Sequence, residues 1–344
     1  MDKLRVAVIG AGKMGLLHGG IFNSLENSTL TAISEKDEMV VRFGKKYLPK
    51  VHFYEDYEKM FSNENIDIVA ITTPVFLHHT MIEKAIENDL NIFVEKPLSI
   101  NGKECRSILS RNFKRKSQVG YCRRFMGTYS LVKKILSESS LGKVNYFDSR
   151  IFVGWVFAPG KGWSYDPTKS GGGALIDLGS HAIDMFHYLF GEISSVQANA
   201  RNVFNKDVED YVSVNLTLLN NIIGSLQISW SIKNYRMPEL KIDIYCDHGK
   251  ITVTEKYVEI FSDIQHNLIK KGWNIFYKQD ITPDVIVDLA GPEYTLEDQN
   301  LVDAIINDTV PRCNFHEAAK ASFVVDAVYT SINCNSVEKV IYGA

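Results

Sequence analysis

From Leu4 to Gly15 the chain reads LRVAVIGAGKMG. The first six residues are almost wholly apolar and stop at a glycine. A short run apolar on both faces suits a strand buried in a parallel sheet. Gly10, Gly12 and Gly15 then match G-x-G-x-x-G, with Lys13 and Met14 in the variable places, and a helical pattern follows to about Glu26. The first glycine permits a tight turn and the second lets a pyrophosphate approach the backbone. The third allows close helix–strand packing, while the helix amino terminus favours the anion. Twenty residues beyond Gly15 stands Glu35, at the end of the next predicted strand, Leu30–Ser34. A carboxylate there can accept hydrogen bonds from the two hydroxyls of an adenosine ribose. Its charge repels a 2′-phosphate, which favours NAD over NADP, although Lys36 beside it offsets the repulsion and leaves NADP possible.

Outward from this turn, strands keep alternating with helices. Helices are predicted around 37–48, 55–62 and 78–88, and strands at Ile66–Ile71 and Asn91–Val94. Such alternation means a parallel, doubly wound sheet with right-handed crossovers. It holds to about residue 120. After Tyr121 a helix near 128–139 leads to Val144–Phe152, and a loop rich in Gly, Pro and aromatic residues runs from Gly154 to Gly173. A strong helix covers Ala174–Phe190. Then come Val196–Phe204, Tyr211–Leu219, Ile222–Ile232, Leu240–Cys246, Lys250–Thr254 and Val258–Phe261 without intervening helices. Asn220-Asn221 reads as a tight hairpin turn. The pattern predicts a Rossmann domain at 1–122 and an α+β domain with a large open antiparallel sheet at 123–344. Helices near 296–308 and 315–333 are candidates to pack back on the first domain. The 264–290 segment shows no clear period.

Composition sets the outer limits. With 344 residues, 45% hydrophobic and 23% charged, the chain is long enough for two globular domains. The net charge of −3 supplies no basic excess for neutralising phosphates, so nucleic-acid binding is not expected. No run approaches the ~20 apolar residues of a membrane span, and the amino terminus lacks a signal-peptide pattern. Cys105, Cys122, Cys246, Cys313 and Cys334 are odd in number and never in CxxC spacing. That suits a reduced cytoplasmic chain without a disulfide framework or thiolate zinc site.

Two clusters carry candidate chemistry. Glu95-Lys96-Pro97 follows the strand Asn91–Val94 directly, and in an open parallel sheet ligands sit outside the carboxyl ends of strands. Lys96 is therefore placed for a ligand, and Pro97 restricts the backbone behind it, with a cis bond open to it. The second cluster runs from Ser170 through Gly171, Gly172 and Gly173 to Asp177, His181 and Asp184. Asp177 and His181, four apart, share one helix face. The imidazole titrates near physiological pH and the carboxylate can set its tautomer. The glycine run would let the backbone approach a ligand closely. No third or fourth ligand accompanies Asp177 and His181, so a metal site is not expected. Asp184 and His187 continue the helix and read as structural or merely nearby.

These motifs, together with Thr72-Thr73-Pro74, His78, Gly120-Tyr121-Cys122-Arg123-Arg124-Phe125 and the block Trp163–Gly191, make the chain resemble the Gfo/Idh/MocA family along essentially its whole length. That family is the glucose–fructose oxidoreductase and inositol dehydrogenase type of sugar oxidoreductase. The resemblance implies that Lys96, Asp177 and His181 form the catalytic set. It also implies that Thr73, Pro74, His78, Glu95 and Lys96 lie along the cofactor, with Arg124 at the cofactor–substrate junction. Val75 and Cys122 stand where family members often carry Asn.

The expected reaction is hydride transfer between a nicotinamide and a secondary alcohol or ketone of a sugar-like substrate. His181 is the first choice as general acid/base, Asp177 would orient it or grip a neighbouring hydroxyl, and Lys96 would hydrogen-bond the reacting oxygen. Trp163 and Tyr165 would offer apolar faces to a pyranose ring or else pack the loop. The alternatives are a reductase of a non-sugar carbonyl or imine, biliverdin reductase-like or dihydrodiol dehydrogenase-like, and a dinucleotide sensor without catalysis. Retention of Lys96, Asp177 and His181 speaks against the sensor. Arg123, Arg124, Lys161, Lys169 and Arg236 give only a weak hint of an anionic sugar. The resemblance further implies a homodimer or homotetramer built through the second-domain sheet.

Overall fold

The computed structural model describes residues 2–343. The chain divides into two units. One holds the chain up to Ser99, with Lys103–Cys122 and Asp284–Ala318; the other holds Ile100–Gly102, Arg123–Pro283 and the chain from Ala319 onward.

The first unit is a six-stranded sheet of β1 (Leu4–Ile9), β2 (Ser28–Ser34), β3 (His52–Tyr54), β4 (Ile68–Ile71), β5 (Asn91–Val94) and β6 (Ser117–Val119). The order is β3-β2-β1-β4-β5-β6 and every pairing is parallel. Strands β4 and β5 are buried throughout, in keeping with their apolar sequences, Asn91 at the start of β5 excepted. Strand order reverses between β1 and β4, which opens a crevice at their carboxyl ends. Gly10 and Thr72 follow those two ends, and Glu95-Lys96 follows β5. Helix Lys13–Ser24 buries Ile21 and Phe22 against β1 and β5 residues, and helix Pro292–Ile306 adds Leu301 and Val302 to the same core. The final predicted helices thus divide: Pro292–Ile306 lies in the first unit and most of Phe315–Cys334 in the second.

The second unit is built on β7 (Val144–Phe152), β8 (Ile193–Arg201), β9 (Tyr211–Leu218), β10 (Ile223–Ser229), β11 (Glu239–Cys246), β12 (Gly249–Val253), β13 (Tyr257–Ser262), β14 (Gly272–Tyr277) and β15 (Glu338–Lys339). Their order is β14-β13-β12-β11-β7-β10-β9-β8-β15. The sheet is mixed rather than purely antiparallel, because β10 and β7 run parallel while the other neighbours alternate. The β9–β10 hairpin turns at Asn220-Asn221, with Asn221 at φ 65°, a conformation asparagine tolerates. Alternation along β7 buries Phe147, Ser149 and Ile151 and leaves Tyr146 and Asp148 outside. Phe147 packs on Phe186 and Phe190 of helix Ser180–Phe190, with ring centroids 4.8 and 4.5 Å away. Burying such a side chain contributes about 1.5–3 kcal/mol. The opposite face carries exposed Tyr146, Phe261, Trp273, Ile275 and Tyr277. No described helix is long and apolar enough to cross a membrane.

Candidate active site

The three glycines of the turn meet different surroundings. Gly10 adopts φ +89°, and a Cβ there would stand 2.9 Å from Thr73 Cγ2. A Cβ on Gly15 would collide with the carbonyl of Gly10. Gly12 differs: nothing lies within 4 Å of its missing Cβ, and its backbone conformation is extended. Open space therefore faces the turn at the start of helix Lys13–Ser24, whose first N–H groups receive no side-chain cap. This fits a dinucleotide pyrophosphate. Lys13 is exposed and Met14 half-buried beside it. Glu35 Oε2 accepts from Ala11 N at 2.6 Å, and Oε1 accepts from Lys36 N and Asp37 N at 2.7 and 2.9 Å. The carboxylate is thus fixed against the turn, where a ribose would pass.

Lys96 is half-buried at the carboxyl end of β5, and the Lys96–Pro97 peptide is cis. Its own N–H donates to Glu95 Oε2 at 3.1 Å. Glu95 Oε1 lies 3.0 Å from Nε2 of the fully buried His18, whose Nδ1 lies 2.9 Å from both carboxylate oxygens of Asp298. A neutral imidazole donates one hydrogen bond only, so two carboxylate partners call for the imidazolium. Burial opposes that charge, yet the two carboxylates hold His18 well above its ordinary range. Burial likewise pushes Glu95 up, and the bond from His18 with the nearby positive charges keeps it below the usual carboxylate range. Asp298 stays raised, to about 6, chiefly by burial. Buried Glu297 brings the group to three ligand-type side chains within 4.8 Å; ion pairing accounts for His18 and Asp298.

His78 is also buried. Nδ1 lies 3.0 Å from the Pro97 carbonyl and Nε2 2.9 Å from that of Thr73. It ties the Thr73-Pro74 loop to the turn that carries Lys96. Desolvation lowers its pKa, so one of those carbonyls receives a proton and the other does not. Val75 and Cys122 are buried, and Cys122 engages the hydroxyl of Tyr294.

In the second unit, Asp177 falls in a single π-helical turn, Leu175–Gly179, that runs into helix Ser180–Phe190, which carries His181. Such turns recur at functional sites. From Gly172 to His187 every residue is buried apart from Asp177 and His181. The segment therefore opens at the carboxylate and the imidazole alone.

The glycine run before it serves the chain's own packing, which corrects the expectation that it lets a ligand approach. Gly171 adopts φ +79°, and a Cβ there would stand 2.6 Å from the Ile100 carbonyl. A Cβ on Gly172 would meet the Tyr329 hydroxyl, and one on Gly173 the Glu209 carbonyl. Arg124 is buried and grips Asp184 with Nε at 2.9 Å and Nη2 at 2.8 Å. Its guanidinium thus braces that helix within the second unit. Tyr165 leans on Trp230, centroids 5.9 Å apart, and on Gly160, whereas Trp163 is 41% exposed.

His18, Asp298, Glu209 and Tyr329 were invisible to sequence reading. His18 sits on an apolar helix like many structural histidines, and its partner Asp298 is 280 residues away.

Residues 4–121 match the model of an oxidoreductase family described as an NAD-binding Rossmann fold, and residues 129–252 match the GFO/IDH/MocA C-terminal domain. A scyllo-inositol 2-dehydrogenase (NAD(+)) from Bacillus subtilis is 30% identical over 228 residues, 63% of this chain and 63% of that protein. An uncharacterized oxidoreductase from Synechocystis is 27% identical over 242 residues, 66% of this chain and 65% of its own length. The matched stretch thus spans under two thirds of either relative. A levoglucosan dehydrogenase solved in complex with NADH has a like fold: TM-score 0.89 and 21% identity, covering 99% of this chain and all of that one.

Proposed function

The chain belongs to the Gfo/Idh/MocA family of oxidoreductases, and from that premise we propose that it transfers a hydride between a nicotinamide dinucleotide and a secondary alcohol or ketone of a sugar, polyol or sugar derivative. The observation that carries the reading is the otherwise buried helical segment that opens only at Asp177 and His181. The relatives' activities, on inositol and on levoglucosan, point to the same substrate class.

Gly10, Gly12, Gly15 and the helix start at Lys13 would hold the pyrophosphate, and Glu35 the adenosine ribose. Thr73, Pro74 and the Glu95-Lys96 turn would line the rest of the dinucleotide, with His78 fixing their loop. A dinucleotide held there would supply the hydride-transfer chemistry. His181 takes the hydroxyl proton in oxidation and returns it in reduction. Asp177 orients the imidazole or grips a neighbouring substrate hydroxyl. The Lys96 ammonium places positive charge where the reacting oxygen becomes negative. Arg124 supports this helix through Asp184, and Trp163 offers a ring face to the substrate. The preference is for NAD, because the Glu35 carboxylate repels a 2′-phosphate, a repulsion that Lys36 beside it offsets only in part.

The exposed Tyr146, Phe261, Trp273, Ile275 and Tyr277 on one sheet face support self-association through that face. Five free cysteines support a reducing, cytoplasmic setting. The test is titration with NADH and NADPH by fluorescence, followed by an absorbance screen of polyols, aldoses, uronic acids and nucleotide sugars. Tight NADH binding with turnover on one sugar class upholds the reading. NADH binding with no turnover on any of them overturns the substrate class.

A further inference from the structure

We propose that Glu209 and Tyr329 are positioning residues for the reaction: together they fix the start of the helical segment that presents Asp177 and His181. The proposal rests on the function proposed above. Glu209 lies just before β9 and is 7% exposed. Its two carboxylate oxygens each accept from Gly173 N at 3.0 Å, and Oε1 also accepts from Leu175 N at 2.9 Å. The N–H between them, on Ala174, donates to the Glu209 carbonyl at 2.9 Å. Three successive N–H groups that a helix start leaves without intrahelical partners are thus taken by one residue from another part of the chain. A carboxylate is suited to this end of a helix, because the aligned peptide dipoles favour negative charge there.

Tyr329, from helix Phe315–Cys334, completes the clamp. Its hydroxyl donates to Glu209 Oε1 at 3.0 Å and fills the space where a side chain on Gly172 would stand. The clamp reaches Asp177 through one further bond: Asp177 N donates to the Gly173 carbonyl at 3.2 Å, closing the turn that begins at the held residue. The glycines at 172 and 173 are the counterpart of the clamp, since any Cβ there would push Tyr329 or Glu209 away.

The arrangement differs from an ordinary cap in its reach. A local Ser or Asp cap is one residue ahead of its helix. Here the cap is 34 and 36 residues downstream of the amides it holds, so the aim of the segment depends on the loop before β9.

The test uses Glu209→Gln and the milder Tyr329→Phe in the full-length protein. Three readings are taken: NADH affinity by fluorescence, steady-state kcat and KM for the sugar found to turn over, and hydrogen exchange at residues 173–181. Glu209→Gln sets an amide NH2 against N–H donors. It is expected to lower kcat about 10- to 100-fold, a loss of about 1.4–2.8 kcal/mol in transition-state stabilisation, with NADH affinity unchanged. Exchange at 173–175 is expected to quicken. Tyr329→Phe is expected to act in the same direction with less than a tenfold loss of kcat. Unchanged kcat and unchanged exchange in a folded Glu209→Gln protein would overturn the proposal. If Glu209→Gln does not fold, Tyr329→Phe decides alone on the same two readings. If the wild type turns over no sugar, the functional reading fails, and exchange at 173–175 still decides whether the clamp holds the segment.

Discussion

His18 Nε2 and Glu95 Oε1 lie 3.0 Å apart behind Lys96, in a pair that Asp298 extends from the far side of the imidazole. Removing one member of a buried ion pair leaves an uncompensated charge and costs about 3–5 kcal/mol, whereas removing both charges costs much less. His18→Phe should therefore destabilise the protein by about that amount in urea unfolding, and should also lower kcat because Glu95 receives the Lys96 N–H. His18→Phe combined with Asp298→Leu should recover part of the stability. Strictly additive losses would contradict the pairing.

The second and third glycines of the turn should separate binding from folding. Gly12→Ala places a methyl in open space and should leave stability within about 0.5 kcal/mol, while NADH affinity falls at least about tenfold. Gly15→Ala drives a Cβ into the Gly10 carbonyl and should be seen first as lost stability. Equal behaviour of the two variants in thermal melts would refute this division.

Much of the architecture was legible because β1, β4 and β5 are largely buried on both faces and so read as almost wholly apolar runs. β3 and β6 have three residues each, too few to establish a period. β14 was hidden for a different reason: Trp273, Ile275 and Tyr277 alternate with half-buried Asn274 and Phe276, so polarity does not track the faces of this edge strand. The candidate site divides in the same way. Lys96, Asp177 and His181 stand in local motifs, whereas the residues that hold them, His18, Asp298, Glu209 and Tyr329, act over separations that no local pattern records. The triple glycine was visible, but only the neighbouring Tyr329 and Glu209 show what its missing side chains make room for.

His187 predicts an acid-sensitive fold. Burial, with the nearby charges of Arg124 and Lys320, lowers its pKa from 6.5 to about 3, and Nε2 lies 2.9 Å from the Tyr342 hydroxyl. Between those two pH values the unfolded chain binds a proton that the folded chain does not. Stability from this group is therefore present above pH 6.5 and declines as pH falls toward 3, by up to about 1.4 kcal/mol per pH unit. In His187→Gln that decline is absent. The stability difference between wild type and variant should shrink on acidification, measured by urea unfolding across the range. A constant difference would mean that His187 is not held neutral.

Glu35 should govern the choice of dinucleotide. Glu35→Ala removes the charge that opposes a 2′-phosphate, together with the acceptor for Ala11 N. The ratio of kcat/KM for NAD over NADP should fall at least about tenfold, corresponding to about 1.4 kcal/mol. An unchanged ratio would assign the preference elsewhere.

The central claim is that His181 moves the proton of a sugar hydroxyl while the first unit holds the dinucleotide. The most direct measurement compares wild type with His181→Asn, recording NADH affinity by fluorescence and kcat by nicotinamide absorbance on the sugar identified in the screen. Unaltered NADH affinity and a kcat lowered by roughly 10²–10⁴-fold are expected. A kcat within about tenfold of wild type, in a variant that binds NADH normally, would contradict it.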